Sequence, residues 1–483
     1  MRSHRRPVLL AAVVVLFAML AEVEGPASLA GGDGGDEGSV SAPTNRPTIV
    51  MIVTDDQRWD TLRYMPQTRH DLQFRGMKFG NAFVSNSLCC PSRATILTGN
   101  YSHTTGVYSN IPPHGGWETF HDGGAEASTI ATWLHNDGYH TALIGKYLNS
   151  YGPGNLFVPP GWDRWAALDS ANSKYYNYDL NVDGVDVHYG SAARDYSTDV
   201  IASYARREIN ATPADQPLFL YVATSAPHGP PVPARRDLGT ITKGPAGWPP
   251  NFDEQNMQDK PRYMRNLRLE DASKESDRWR RTAETLGAVD DAVHTIVQAL
   301  ARTGRLSNAM IVFMSDNGLA FGEHRWTFKL TPYEEVIRVP LLIRYDPLIH
   351  AGSVDRHLVT NLDLAPTFAQ LAGAPHPATE GSPLGPLFSD PAASWRSGFL
   401  LEHLKYSRGG KGKPNPPSYC GVRARARVFI HYASGFEEYY NLRKDPYQLR
   451  NAAYKNAARR SVHRLRVATR AMCVPLPPGM PPF

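Results

Sequence analysis

The sequence predicts an α/β protein in which helices sandwich a large mixed, mainly parallel sheet. Five short apolar runs support this prediction, because each is continuous enough for a strand buried on both faces. They cover residues 48–53, 141–144, 218–222, 310–314 and 339–343. Helical spacing of apolar residues occurs between them, at 128–135 and 280–302. Strands that alternate with helices are typical of a layered sheet.

The composition changes after about residue 382, where proline and glycine clusters separate shorter strand-like pieces such as 427–432. This change predicts a smaller C-terminal α+β subdomain at 382–483. The preceding residues, 46–381, are expected to form one catalytic domain, since α/β enzymes often exceed the usual domain length.

The N-terminus has the pattern of a secretory signal. Arg2, Arg5 and Arg6 precede an apolar run at 8–21, and small residues follow it. We predict a signal peptide at 1–30, and the run is shorter than the roughly 20 residues that a spanning helix needs. The expected location is secreted, periplasmic or cell-surface, or lysosomal in a eukaryote, without stable membrane insertion. A Gly-, Asp- and Ser-rich linker is predicted at 31–45.

Charge gives little further information about partners. The chain has 51 Lys and Arg against 46 Asp and Glu, a net charge of +5. No long basic run or nucleic-acid motif occurs, so we predict no nucleic-acid partner.

Polar side chains follow four of the predicted strands at the point where each strand ends. Functional residues of open α/β sheets gather at the carboxyl ends of strands, so these side chains are expected to converge on one edge. In chain order they are Asp55, Asp56, Lys146, His228, Asp316 and Asn317.

Three carboxylates and one amide form a set of oxygen ligands, which suits a hard divalent cation, with Ca²⁺ preferred over Mg²⁺ if few waters are kept. Arg93, Lys146 and Lys329 beside that cation would make a positive pocket. Such a pocket binds a tetrahedral oxyanion, because arginine holds two of its oxygens at once.

Two of the four cysteines, Cys89 and Cys90, are neighbours followed by Pro-Ser-Arg. Adjacent cysteines pair only in a strained ring, so a disulfide between them is not expected. A thiolate nucleophile at this position is the alternative that the residues alone leave open.

The stretch Cys89-Cys-Pro-Ser-Arg-Ala-Thr-Ile-Leu-Thr-Gly99 resembles the signature of the sulfatases, formylglycine-dependent enzymes of the alkaline phosphatase superfamily. Further matches occur in chain order on both sides of this stretch, from Thr54-Asp-Asp-Gln57 to Gly322-Glu-His324. The resemblance spans about residues 47–451. It implies an alkaline-phosphatase-like sheet. It also implies that a formylglycine-generating enzyme, which reads Pro91 and Arg93, oxidises Cys89 to Cα-formylglycine.

The resemblance also implies a role for each site residue. The Ca²⁺ ligands would be Asp55, Asp56, Asp316, Asn317 and the modified Cys89. Arg93 and Lys146 would orient the hydrated aldehyde, while His228 and Lys329 would bind sulfate and assist the leaving oxygen. In the family mechanism one aldehyde hydroxyl attacks sulfur and the second then eliminates sulfate.

One departure bears on the substrate. Many sulfatases read Gly-Lys-Trp-His, but here Leu148 stands at the histidine position. The role of that family histidine is expected to be lost, or to be supplied by another residue such as His324. The form Gly145-Lys-Tyr-Leu-Asn149 and residues 172–178 and 181–184 resemble the N-acetylglucosamine-6-sulfatase branch. The implied substrate is therefore 6-O-sulfated N-acetylglucosamine in glycosaminoglycan-type glycans.

Other functions remain open at this point. A broad arylsulfatase is one alternative, and a phosphonate monoester or phosphodiester hydrolase of the same superfamily is another. A glycan-binding protein on a retired sulfatase scaffold is a third. Candidate aromatic platforms for a sugar or aryl ring are Tyr147, Tyr175, Tyr176 and Trp326.

The remaining cysteines, Cys420 and Cys473, lie in the C-terminal region of a chain predicted to be exported. Disulfides persist in such oxidising compartments. We therefore predict that these two residues are bonded to each other.

Overall fold

The apolar strand β1, Thr48–Thr54, lies inside a ten-stranded sheet, and all seven of its side chains are buried. The computed structural model describes residues 46–152, 154–169, 175–245, 247–406 and 415–483. The predicted signal peptide and linker, 1–30 and 31–45, lie outside the described residues. Among the residues described, no helix has both the length and the apolar character needed to cross a bilayer.

The strands of the described chain fall into one large and two small sheets. In chain order they are β1 Thr48–Thr54, β2 Met77–Phe79, β3 Ala82–Phe83, β4 His140–Gly145, β5 Arg164–Leu168, β6 Tyr178–Val182, β7 Val185–Tyr189, β8 Leu218–Ala223, β9 Ala309–Ser315, β10 Leu341–Arg344, β11 Ser353–Asp355, β12 Val359–Thr360, β13 Gly398–His403, β14 Tyr419–Ala424, β15 Arg427–Tyr432 and β16 Glu437–Asn441.

The α-helices of the described chain range from one turn to 31 residues. They are α1 Pro66–Thr68, α2 Cys89–Thr98, α3 Ser102–Thr105, α4 Gly116–Asp122, α5 Ile130–Asn136, α6 Ser197–Ala211, α7 Arg262–Arg265, α8 Ala272–Arg302, α9 Glu334–Ile337, α10 Leu364–Ala372, α11 Gly385–Ser389 and α12 Arg459–Met472.

The large sheet has the order β11-β2-β10-β9-β1-β8-β4-β5-β6-β7. Its central strands, β9, β1, β8, β4 and β5, run parallel to their neighbours within this group. The strand β10 runs antiparallel to β9, with Leu341 opposite Met314. The prediction of a mixed, mainly parallel sheet is therefore confirmed.

Side chains of β1 alternate between two apolar cores, as the period of a strand requires. Met51 packs in the core that contains residues of α2, α5 and α10, while Ile52 packs in the core that contains residues of α6 and α8. Helices therefore cover both faces of the sheet, as predicted.

Helix α8 begins eight residues earlier than the apolar pattern predicted, at Ala272 instead of 280. The Asp271 carboxylate caps it by accepting hydrogen bonds from the backbone nitrogens of Ser273 (2.9 Å) and Lys274 (3.2 Å). The added turns are largely polar, so a search for an apolar stripe does not find them.

The C-terminal subdomain contains the antiparallel sheet β13-β14-β15-β16. A disulfide between Cys420 on β14 and Cys473, just after α12, confirms the predicted pairing. The boundary predicted at residue 381 stays a prediction. The final residues pack on this subdomain, where the Phe483 ring stacks on His431 with centroids 4.0 Å apart.

Candidate active site

The carboxyl ends of β1, β4 and β9 bring the predicted polar side chains together. Thr54 and Ser315 are partners in the register of β1 and β9, so Asp55 and Asp316, one residue further on, lie side by side. Asp56 has a positive φ of 67°. Its backbone nitrogen donates to Asp316 Oδ1 at 3.1 Å, which helps to hold this unfavourable conformation.

Cys89 is the first residue of the fully buried helix α2. Its Sγ lies 3.3 Å from Asp55 Oδ1 and 4.0 Å from Asp56 Oδ1. One helical turn separates Cys89 from Arg93, so both side chains reach the same side of the helix. The helix therefore delivers the cysteine and an arginine to one point.

Each buried cation of the site contacts a carboxylate. Lys146 Nζ forms an ion pair with Asp55, and Arg93 Nε donates to Asp316 Oδ2 at 2.8 Å. Lys329 Nζ lies 2.5 Å from Asp56 Oδ1 and 2.6 Å from Cys89 Sγ. We call the whole group of side chains the catalytic cluster. Its members are Asp55, Asp56, Cys89, Arg93, Lys146, His228, Asp316, Asn317 and Lys329.

The charges of the cluster set its protonation. Burial alone would raise the pKa of Asp55, but Lys146, His228 and Arg93 hold it well below its usual value. Burial and the Asp55 carboxylate raise the pKa of the Cys89 thiol. Burial also lowers the pKa of His228 despite the two neighbouring aspartates. The cluster thus contains an ionised Asp55 and a protonated Cys89 thiol.

The residues present fit a divalent cation. Asn317 Oδ1 is buried and has no hydrogen-bond partner among the residues that the structure describes, although Asn317 Nδ2 donates to Asp56 Oδ1 at 2.6 Å. One ligand atom from each of Asp55, Asp56, Cys89 and His228 can lie within 4.8 Å of the others. An unsatisfied buried amide oxygen beside such a group suits a hard cation.

Comparison with known proteins identifies the family. The family described as Sulfatase matches residues 47–374, and the C-terminal region described for N-sulphoglucosamine sulphohydrolase matches 322–471. The chain belongs to the sulfatase family. Sulfatases are sulfuric ester hydrolases, as the resemblance at Cys89 implied.

Two sulfatases illustrate the similarity. An extracellular sulfatase SULF-1 homolog of Drosophila melanogaster is 34% identical over 75% of this chain, but this chain spans only 34% of that protein. The N-acetylglucosamine-6-sulfatase of Homo sapiens is 32% identical over 86% of this chain and 82% of its own length.

A solved structure supports the predicted fold. It shows a protein in complex with its substrate D-glucosamine-2-N,6-O-disulfate, and it superposes with a TM-score of 0.77 at 24% identity. The match covers 89% of this chain and 98% of the other. The sheet and its helices are therefore those of the alkaline-phosphatase-like sulfatase fold.

Leu148 and His324 bear on the histidine that many sulfatases carry at the position of Leu148. Leu148 is fully buried in the apolar core. His324 is also buried, and its Nδ1 lies 2.6 Å from Glu254 Oε2 while its Nε2 lies 3.2 Å from Asn251 Nδ2. Both ring nitrogens therefore have partners outside the catalytic cluster, and these contacts favour the alternative in which the role of the family histidine is lost.

Three of the four aromatic residues proposed as stacking platforms position other residues instead, while the fourth, Tyr176, is half-buried and stays a candidate. The Tyr175 hydroxyl donates to the His228 carbonyl at 2.8 Å, and the Trp326 indole donates to the Lys329 carbonyl at 2.9 Å. The Tyr147 hydroxyl donates to Glu126 Oε1 at 2.9 Å. All three side chains are buried, so they offer no open face to a ring. Residues 170–174, part of the segment that suggested the substrate, lie outside the described residues.

Sequence reasoning missed Asn361 as a support of α2. Its Nδ2 donates to Ser92 Oγ at 2.9 Å, and its Oδ1 accepts from the Ser85 backbone nitrogen at 3.3 Å. Asn361 lies within the span of the family resemblance, about residues 47–451, but its contact with α2 requires the tertiary structure.

Proposed function

We propose that this protein hydrolyses sulfate esters through Cα-formylglycine formed from Cys89, with Ca²⁺ bound beside it. The observation that supports the proposal best is the position of Cys89 Sγ, 3.3 Å from Asp55 Oδ1 and 2.6 Å from Lys329 Nζ. A group at this point faces both the oxygen ligands for a cation and a positive charge for a bound oxyanion.

The protonation of Cys89 favours this reaction over a simple thiolate mechanism. Burial and Asp55 raise the pKa of the thiol, so the unmodified side chain is a poor nucleophile. The hydrated aldehyde supplies a hydroxyl for attack on sulfur and a second hydroxyl for release of sulfate. That chemistry gives a function to a cysteine that the cluster keeps protonated.

The other residues of the cluster bind and orient the reactants. We assign the cation ligands to Asp55, Asp56, Asp316, Asn317 and the modified Cys89, and the bound cation would neutralise negative charge at this point. Arg93 and Lys146 hold the modified side chain in position. Lys329 binds the sulfate, since the Asp56 carboxylate raises its pKa well above the usual value even though burial opposes this.

His228 is the more exposed of the two residues assigned to the leaving oxygen, the other being Lys329, whose side chain is 2% exposed. A third of the His228 side chain is exposed, at 33%, whereas the neighbouring Asp56 is only 4% exposed. His228 Nε2 lies 3.7 Å from Asp56 Oδ2, so the ring stands between the buried carboxylates and solvent. A leaving alcohol at this position would meet the imidazole first.

For the substrate we propose the 6-O-sulfate of N-acetylglucosamine in glycosaminoglycan-type glycans. The human relative with that name matches most of this chain, and the Gly145-to-Asn149 sequence agrees with that branch. We further propose that the protein is exported and is matured by a formylglycine-generating enzyme. The alternative function, a phosphonate monoester or phosphodiester hydrolase, would bind a phosphorus oxyanion beside Lys329 where the proposed sulfatase binds sulfate.

A peptide map tests the reacting group, and a substrate screen tests the substrate. Mass spectrometry of active protein is expected to find the mass of formylglycine at Cys89, and an unmodified thiol in fully active protein would contradict it. The screen compares 6-O-, 2-O- and N-sulfated glucosamine saccharides, an aryl sulfate and a phosphonate monoester by kcat/KM. A higher kcat/KM for the phosphonate monoester than for the sulfates would contradict the proposed reaction. Failure to release sulfate from any 6-O-sulfated saccharide would contradict the proposed substrate.

A further inference from the structure

A second concave surface lies apart from the catalytic cluster. It is a cleft of about 930 Å³ whose walls come mainly from residues 58–63, 247–250, 334–338 and 423–447. No residue of the catalytic cluster lines it. We call it the arginine cleft. The C-terminal subdomain thus contributes one wall and the catalytic domain the others.

The cleft is strongly positive. Among its described lining residues, seven are arginines and four are carboxylates, an excess of three positive charges by subtraction. Clefts lined by one sign of charge concentrate ligands of the opposite sign. The expected ligand is therefore an anion.

Three of the four carboxylates are already paired with two of the arginines. Arg58 forms ion pairs with Asp60 at 3.0 Å and with Glu323. Arg423 holds Glu334 in a bidentate pair, with Nε–Oε1 at 2.6 Å and Nη2–Oε2 at 3.1 Å. These pairs build the floor of the cleft and leave little negative charge to neutralise the remaining arginines.

Four other arginines keep their positive charge available. Arg63, Arg356, Arg425 and Arg443 are exposed, and within the described structure none has a carboxylate at ion-pair distance. Guanidinium groups bind the oxygens of sulfate or carboxylate in pairs. Several such groups around one cavity suit a ligand that carries more than one anionic substituent.

Aromatic side chains give the cleft apolar surfaces as well. The Arg338 guanidinium lies over the Trp59 ring, 4.2 Å from its centroid. Trp248 and Tyr447 also line the cleft, and Tyr447 is 40% exposed. Flat aromatic rings beside cations match the apolar C–H faces and anionic groups of a sulfated sugar.

We propose that the arginine cleft binds a sulfated saccharide unit outside the catalytic cluster. The choice of this ligand rests on the proposed function, while the preference for an anion rests on the cleft itself. Its volume lies within the range of roughly 300–1,000 Å³ that is usual for small-ligand sites. The cleft would hold a sulfated chain on the enzyme while other units of the glycan are processed.

Isothermal titration of a sulfated glucosamine tetrasaccharide tests the cleft. The protein carries Cys89→Ala in every sample, so that the ligand is not consumed. Adding Arg425→Ala and Arg443→Ala is expected to weaken one class of binding sites by at least about tenfold, because two charged hydrogen-bond donors are lost. Arg281→Ala with Arg302→Ala, two exposed residues of α8 that do not line the cleft, serves as the matched control and is expected to change the affinity less than about twofold.

Three results would overturn the proposal. They are unchanged binding in the cleft variant, an equal loss in the α8 control variant, and equally tight binding of the unsulfated tetrasaccharide. In protein with an intact Cys89, the cleft substitutions are expected to leave kcat/KM for a sulfated monosaccharide unchanged, and a loss there would show that the cleft belongs to the catalytic pocket. Binding does not require turnover, so a failure of the sulfatase assay is distinguishable from a failure of the cleft.

Discussion

The catalytic cluster and the arginine cleft both concentrate positive side chains, but they treat those charges differently. In the cluster Lys146, Lys329 and Arg93 are buried and each contacts an aspartate. In the cleft Arg425 and Arg443 are exposed and have no such partner among the described residues. Buried charges must be compensated, whereas exposed ones are stabilised by water. The ion pairs of the catalytic cluster hold its side chains in a fixed geometry. The exposed arginines of the cleft can instead form ion pairs with a ligand.

The largest effect is expected from Cys89→Ala. Removal of the reacting side chain should lower kcat by at least about 10⁴-fold. Sulfate release from a 6-O-sulfated saccharide measures it. Unfolding by urea is the control, since the alanine fits the space of a buried thiol. Retention of activity would remove Cys89 from the reaction.

Lys329→Ala comes next. It removes the ammonium that lies 2.5 Å from Asp56 Oδ1 and is assigned to the bound sulfate. The expected loss in kcat is about 10²–10³-fold, as for other groups that stabilise developing negative charge. Lys444→Ala, an exposed residue, is the matched control. A variant with normal kcat would show that Lys329 only balances the aspartates.

Calcium should stabilise the cluster, because its buried oxygens lose their mutual repulsion when a cation binds. At a free concentration about a hundred times the Kd, the free energy of unfolding is expected to rise by about 2–3 kcal/mol. Thermal unfolding with calcium, and after chelation by EDTA, measures this. Asp316→Asn should reduce the response, and an equal response in that variant would move the ion elsewhere.

The ion pair between Glu437 and Arg466 is expected to have a smaller effect, on stability and not on activity. Burial alone would raise the pKa of Glu437, but hydrogen bonds from Arg466 and His431 lower it from 4.5 to about 2. A depressed pKa stabilises the fold above the unfolded value, and this contribution disappears as pH falls from about 4.5 toward 2. We expect Glu437→Gln to cost about 1–2 kcal/mol at pH 7, after allowance for solvent screening, and less at pH 3.

Urea unfolding of both proteins at the two pH values checks this prediction. A difference between Glu437 and its glutamine variant that does not depend on pH would show that packing, instead of charge, determines the cost.

The smallest effect on stability is expected in the arginine cleft. Arg443→Ala should change the free energy of unfolding by no more than about 0.5 kcal/mol, because the residue is exposed and has no carboxylate partner in the described chain. A larger loss in a urea titration would show that Arg443 supports the fold, and the contrast with the cluster would weaken.

Much of the fold and of the site could be predicted from sequence because both depend on local patterns. Continuous apolar runs marked β1 and β9, and the residues that follow them, Asp55 and Asp316, meet because neighbouring parallel strands end at the same edge. The proximity of Asp55 and Asp316 therefore required only the correct strand assignment, whereas the roles of Cys89 and Arg93, on helix α2, came from the family resemblance.

Other features depend on distant parts of the chain. The partners of His324 are Glu254 and Asn251, about 70 residues away, so the motif around His324 could not show which groups its ring contacts. The arginine cleft joins segments as distant as 58–63 and 423–447. No local pattern marks such a surface, since scattered arginines are also typical of an ordinary solvated face.

The reversed direction of β10 gives the two regions a common wall. Because β10 runs antiparallel to β9, the residues before it, 334–338, lie at the same edge as Asp316 and Asn317. There the Gly318 nitrogen donates to the Val336 carbonyl at 2.9 Å, and a Cβ on Gly318 would lie 2.3 Å from the Glu335 carbonyl oxygen. Segment 334–338 thus contacts Gly318, the residue after the proposed cation ligand Asn317, and it also lines the cleft. A Cβ at residue 318 would therefore push segment 334–338 outward, and the cleft wall and the backbone that follows Asn317 would move together.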